Sequence, residues 1–177
     1  MTGGWRDALV LLAEQDRALW DRALLARGFE HLRGAMSSPQ LTALHLEAGI
    51  AAMHASARSF EETDWAALCH HYENLIELKP TPVVKLNAAI ARAYAEGPAA
   101  GLTQLDALVG NAGLSGYTPY HAARGDLLLK LARPVEAGDA LAQALKCPLN
   151  GAERDYLTRR LRDCEQRVDG ARRSHLN

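Results

Sequence analysis

Apolar residues recur at three- and four-residue spacing along most of the chain, and no segment alternates with a two-residue period over a useful length. This pattern predicts helices throughout. Asp16 is placed to cap a first helix running to about Gly34, with Trp20, Leu24 and Leu32 on one face and Ala23 and Gly28 between them. Ser38-Pro39 reads as the start of a second helix, with Leu41, Leu44, Ala48, Ala51 and Ala55 on one side and Gly49 permitting a close crossing. Thr63 or Ser59 is expected to cap a third helix, which ends near Lys79 because Pro80 and Pro82 cannot continue it. Pro82 opens a fourth helix through Val83, Leu86, Ala89, Ile90 and Ala93, and Gly97-Pro98 ends it and begins a fifth through Leu102, Leu105 and Leu108. After a loop from Asn111 to Gly116, a sixth helix is expected from about Pro119 to Leu131 and a seventh from Pro134 to Cys147. Asn150 caps the last, with Glu153 at the capping-box position.

Short connections between helices of similar size give antiparallel neighbours. The expectation is therefore an all-α fold of about eight helices in antiparallel hairpins that form a curved superhelix. Two stretches carry a repeat signature. Trp65-x2-Leu68-Cys69-x2-Tyr72 fits the first-helix pattern of a tetratricopeptide repeat, with Cys where Gly is usual. In Thr118 to Gly151, residues Gly125, Ala132, Ala137, Leu141 and Ala144 fall where such a repeat needs small or apolar residues, and Pro148 closes the unit about one residue early. The recognisable stretches are 62–95 and 118–151; the period is poorly kept over 96–117. Arg154, Arg159, Arg160, Arg162, Asp163 and Glu165 make the last helix polar enough to act as a solubilising cap. The domain reading is a loose start at 1–8, one helical domain over 9–168 and a flexible tail over 169–177. Met1-Thr2-Gly3-Gly4 has the look of an excision point in a longer protein.

Composition adds exclusions. The hydrophobic fraction of 48% supports a continuous core, and aromatics are scarce at 6%. A formal net charge of -1 argues against a dedicated nucleic-acid binder. Cys69, Cys147 and Cys164 form no CxxC pair and leave an odd thiol, which fits a reducing cytoplasm. No apolar run approaches the ~20 residues of a membrane span, and no signal-peptide profile opens the chain.

Catalytic and metal motifs are equally lacking. Adjacent helical residues point about 100° apart, so Cys69-His70-His71 cannot converge on one ion, and no metal or cofactor is expected. There is no nucleophile elbow, no papain-like cysteine context and no phosphate loop, since Gly97-Pro98-Ala99-Ala100-Gly101 follows a helix rather than a strand. An enzyme is not expected. The arginines from Arg154 to Arg173 are interleaved with Glu153, Asp155, Asp163, Glu165 and Asp169, which reads as a solvated face.

Gln15-Asp16-Arg17-x2-Trp20-Asp21-Arg22 gathers charge and a large ring at a helix start. It reads either as a cap, a core Trp and local ion pairs, or as a docking surface, since Trp and Arg favour hot spots. Thr63-Asp64-Trp65 repeats the theme, with Asp64 as a first-turn acid and Trp65 as core. Arg124 and Asp126 flank Gly125 and read as a buried ion pair between hairpins or as a groove-facing pair.

In order, Gln15-Asp16-Arg17-x2-Trp20-Asp21-Arg22, Ala51-Ala52-x-His54, Thr63-Asp64-Trp65 with Tyr72, Pro82-Val83-Val84-x-Leu86-Asn87, Gly97-Pro98-Ala99-Ala100-Gly101-Leu102, His121-Ala122-Ala123-Arg124-x-Asp126-Leu127-Leu128, Glu136-Ala137 and Asn150 with Glu153-Arg154 form a set. From about Leu9 to Leu161 the chain resembles the C-terminal extension of a subfamily of extracytoplasmic-function (ECF) type bacterial RNA polymerase sigma factors. The resemblance implies a tetratricopeptide-like fold and a regulatory, non-enzymatic role in transcription initiation. In that family the extension follows two small domains that bind polymerase and read the promoter, for which this chain has no counterpart. The implied partners are the sigma-factor core domains and RNA polymerase, or a small protein of the YCII/DGPF-related type, with no direct DNA binding by this segment. Candidate partner- or ligand-contacting residues are Gln15, Asp16, Arg17, Trp20, Asp21, His54, Asp64, Trp65, Asn87, Arg124 and Asp126. The alternative is a small-molecule sensor with Trp20, His54, Trp65, Asn87 and Arg124 lining a pocket. The chain departs from the family at Ala88, where Arg is usual, at Gly125, where Ala is favoured, and at Leu141, where Tyr is favoured.

Overall fold

Eight α-helices and two short 3-10 turns account for the regular structure of the computed structural model, which describes residues 9–174 and side chains through Gly170. The stretch 1–8 and residues 175–177 lie outside the described residues. The turns are Leu12–Glu14 and Arg17–Leu19. The helices are α1 (Arg22–Ala35), α2 (Ala43–Ser56), α3 (Trp65–Leu78), α4 (Pro82–Glu96), α5 (Pro98–Asp106), α6 (Thr118–Lys130), α7 (Pro134–Ala144) and α8 (Gly151–Ser174). No strand occurs among the described residues. The fold is all-α, as the apolar spacing predicts, and α8 continues through 169–174.

Three helix starts differ from the expected ones. Asp16 caps only the 3-10 turn, its carboxylate accepting from the Ala18 N–H at 2.9 Å, and Asp21 caps α1 by accepting from the Leu24 N–H at 2.9 Å. The second helix begins at Ala43 rather than at Ser38-Pro39, with a capping box formed by Thr42 and His45. The third is capped by Asp64, which accepts from the Ala67 N–H at 2.9 Å. Thr63 is unavailable for that role because its hydroxyl is engaged by the Ser59 carbonyl and by Arg17. The Asn150 start is as expected: Asn150 Oδ1 accepts from the Glu153 N–H, and Glu153 accepts from the Asn150 N–H, each at 2.9 Å.

The chain divides into two compact units, residues 10–91 and residues 92 onward, with α4 running from the first into the second. In the first unit α1 lies against α2 and α2 against α3. Its core is Leu46 and Ile50 of α2, Leu68, Cys69 and Leu75 of α3, and Val84 and Ala91 of α4, flanked by Trp65, Tyr72 and Ile76. In the second unit α5, α6, α7 and α8 pack in succession. Leu105, Leu114, Leu128, Leu141 and Cys164 are its largest fully buried side chains. The face of α7 that carries Ala137, Ala140, Leu141 and Ala144 is buried, a three-and-four spacing of small residues that lets α6 approach closely. At the nearest point an added Cβ on Gly125 would lie 2.8 Å from Leu141 Cγ. The glycine at 125 and the leucine at 141 therefore form one contact.

Gly97, Gly110 and Ala132 have positive φ, and the first and last of them join helices. Gly97 has φ +102° between α4 and α5, a conformation that L side chains rarely adopt. Ala132 has φ 56° where α6 hands over to α7, and the Ala132 and Arg133 N–H groups donate to the Leu129 and Leu128 carbonyls at 3.1 and 2.9 Å. This is a Schellman closure with Ala in the place where Gly is usual, which explains why the repeat wants a small residue there. Cys69, Cys147 and Cys164 are all free thiols and all buried.

Candidate protein-interaction site

The Gln15–Arg22 stretch is built around Arg17. Its Nη1 donates to the carbonyls of His54 and Ala57 at 2.8 and 2.9 Å, and its Nη2 donates to Thr63 Oγ1 at 3.4 Å. His54 and Ala57 sit at the C-terminal end of α2, where carbonyls lack intrahelical partners and carry the negative end of the helix dipole. A guanidinium is suited to that end, since its fork reaches two carbonyls at once. Arg17 thereby ties the first 3-10 turns to the end of α2 and to the loop before α3. Arg17 Nε and His54 Nδ1 are buried without a protein partner, so one edge of the guanidinium holds the clamp.

Aromatic rings surround this clamp. The Arg17 guanidinium lies 5.3 Å from the Trp20 ring centroid. His54 and Phe60 meet Trp65 edge-on, with centroids 5.4 and 5.0 Å apart. Burial, and to a smaller extent the nearby Arg17 charge, hold the His54 imidazole below its usual pKa. The neutral imidazole is thus favoured beside the cation.

The expected site residues therefore divide by what they touch. Arg17, Trp20, His54 and Trp65 come together. Asp16, Asp21 and Asp64 cap the Arg17–Leu19 turn, α1 and α3. Gln15 is exposed and donates to the Val10 carbonyl at 3.5 Å. Asn87 is exposed on α4. Arg124 and Asp126 belong to the second unit and do not pair with each other. Arg124 Nε donates to Asp106 of α5 at 3.0 Å, and Asp126 accepts from Arg160 of α8. The two residues on either side of Gly125 thus tie α6 to two different helices.

The clamp fixes where α1 begins, and α1 buries none of its residues. Leu24, Leu25, Gly28, Phe29 and Leu32 of α1 and Ala48, Ala51, Ala52 and Ala55 of α2 line an apolar groove of about 260 Å³. Alanines on α2 are too short to fill the space that the leucines and Phe29 span. On its wall Leu24 is 58% exposed, and Leu44, one helical turn before Ala48 on α2, is 72% exposed. The spacing Leu24, Gly28, Leu32 identifies the face of α1 in the sequence; Leu25 and Phe29 were missed, and Ala48, Ala51 and Ala55 read as ordinary packing positions.

A second cleft, of about 510 Å³, lies in the second unit and is polar, with Asn111, His121, Arg124, Asp139 and Gln143 among its lining. His121 Nε2 lies 2.9 Å from the Ser115 carbonyl. No three His, Cys, Asp or Glu residues are grouped to hold a metal ion among the described residues, and none of the described helices is long and apolar enough to cross a membrane.

Comparison with family profiles yields no match. The chain is similar to an uncharacterized protein of Rhizobium meliloti (strain 1021), with 39% identity over 154 residues. The match covers 87% of this chain and 36% of that protein, so the chain spans little more than a third of the relative's length.

Proposed function

We propose that this chain is a regulatory protein-interaction domain of an RNA polymerase sigma factor, non-enzymatic and cytoplasmic, which modulates transcription initiation by docking a protein partner. The observation that carries the reading is α1: a 14-residue helix with no buried residue, whose leucine face opens onto alanines of α2. An exposed apolar surface of this kind marks an interaction site. Arg17 and the three caps give it a defined orientation, so the motif that resembles the sigma-factor extension builds the docking platform. The relative is also long enough to carry promoter- and polymerase-binding domains, since most of its length lies outside the match.

The partners in this reading are the sigma core domains with RNA polymerase, or a YCII/DGPF-related protein. Titration of each against the chain by calorimetry tests it. Binding of one of them, weakened about tenfold by Leu24→Asp or Leu44→Asp, is the expected result. Heat signals absent for all of them overturn the reading. A small-molecule sensor is the second reading, favoured by the polar cleft around Arg124; a ligand that raises the melting temperature of the chain but not of Arg124→Ala would support it instead.

A further inference from the structure

The groove between α7 and α8 carries carboxylates along an apolar floor. Its floor is apolar: Val135 and Gly138 from α7, Leu161 and Val168 from α8, in a space of about 470 Å³. Its rim carries Asp139 from α7 and Glu165 and Asp169 from α8, and no Lys or Arg among the described residues lines it. Residues Leu161, Glu165, Val168 and Asp169 share one face of α8 because they are three or four apart. Arg154, Arg159, Arg160, Arg162 and Arg167 of α8 are not among the lining residues, and Arg160 is directed to Asp126. Up to Asp169, the charges that α8 turns to the groove are carboxylates. Neither Asp139 nor Glu165 has an ion-pair partner among the described residues.

The shape of the groove suits a helix. Its walls are two packed helices, so the apolar positions on each wall recur at helical-turn spacing, matching a ridge of residues at i, i+4 and i+7. A Cβ at Gly138 would make ordinary contact with Leu161 and Cys164, so α7 and α8 are closely packed at this point of the groove. Val135 is 62% exposed, so an apolar side chain already faces outward at the groove's edge.

We infer that the α7–α8 groove docks an amphipathic helix of a partner protein whose apolar stripe is flanked by Lys or Arg. The carboxylate rim supplies orientation and salt-sensitive attraction, and the Val135–Leu161–Val168 floor takes the stripe. This surface lies in residues 92 onward, is separate from the α1–α2 groove, and stands or falls independently of the reading above.

Two labelled synthetic helices with one leucine stripe, flanked either by lysines or by glutamates, are titrated against the full 177-residue chain by fluorescence anisotropy. The lysine-flanked helix should bind with an affinity that falls as salt rises, and the glutamate-flanked helix should bind at least roughly tenfold more weakly. Glu165→Lys should narrow or reverse that preference, and Val135→Arg should remove binding; both residues are exposed, and unchanged melting curves verify that the variants fold. Absent binding of the lysine-flanked helix, equal binding of both helices, or binding that survives Val135→Arg overturns the inference. Self-association of the chain that is lost in Val135→Arg also overturns it, because the groove's occupant is then a second copy.

Discussion

Gly125 shows how a single missing methyl sets the spacing of α6 and α7. Alanine normally gains about 1 kcal/mol over glycine in a helix interior. Here the added Cβ would meet Leu141 Cγ at 2.8 Å, and Leu141 is 1% exposed. Overpacking of this kind costs about 1–3 kcal/mol. Gly125→Ala is therefore expected to lower stability by about 1 kcal/mol in chemical denaturation. In a Leu141→Ala background the same substitution should be neutral or stabilising, and an additive double-mutant cycle would remove the assignment. At this scale the sequence was partly legible. Small residues at 125, 132, 137 and 144 mark the hairpin, but that Gly125 and Leu141 touch, and that Ala132 adopts a left-handed φ, becomes visible only once the helices are placed.

Among the elements, the segment before α1 is the informative one. Asp16 was legible as a cap, because a short acidic side chain preceding a turn has its partner two residues away, but Asp21 as the cap of α1 was not. Nor was the division into a 3-10 turn and a helix. Arg17 finds its partners 37 and 40 residues later, at the carbonyls of His54 and Ala57. The start of α2 escaped for a related reason: a histidine at the third helical position completes the capping box in place of the usual Glu or Gln. Arg17→Met keeps the stem and removes the donors, leaving two carbonyls at the end of α2 unsatisfied. The expected loss is about 2–3 kcal/mol. Limited proteolysis should then cut faster within residues 10–35, with the second unit's cleavage rate unchanged. Arg17→Lys should restore little, because one ammonium cannot reproduce the fork. A variant as resistant as the parent chain would show that the clamp holds nothing.

For the molecule as a whole, helical content and hairpin order follow from periodicity and from the Pro and Gly punctuation, so they were readable from residue order. Division into units at residues 10–91 and 92 onward was not, since α4 runs unbroken across the boundary with no change of pattern. Nor was the placing of Glu165 and Asp169 beside Asp139 of α7, because a balanced composition hides which carboxylates face a groove. The two grooves offer partners different chemistry: one is almost wholly apolar and the other carries a carboxylate rim.

The buried thiols give the chain an internal clock. Cys69 lies in the first unit, and Cys147 and Cys164 lie in the second, each shielded from solvent. Burial also pushes the Cys164 thiol up, leaving less of the reactive thiolate. An alkylating reagent should modify them only when the surrounding helices open, so the rate at each cysteine times the opening of its own unit. Mass spectrometry of a pulse-labelled sample should show Cys69 accelerated by Arg17→Met and Cys164 accelerated by Gly125→Ala. Equal acceleration at both cysteines in both variants would mean that the two units open as one.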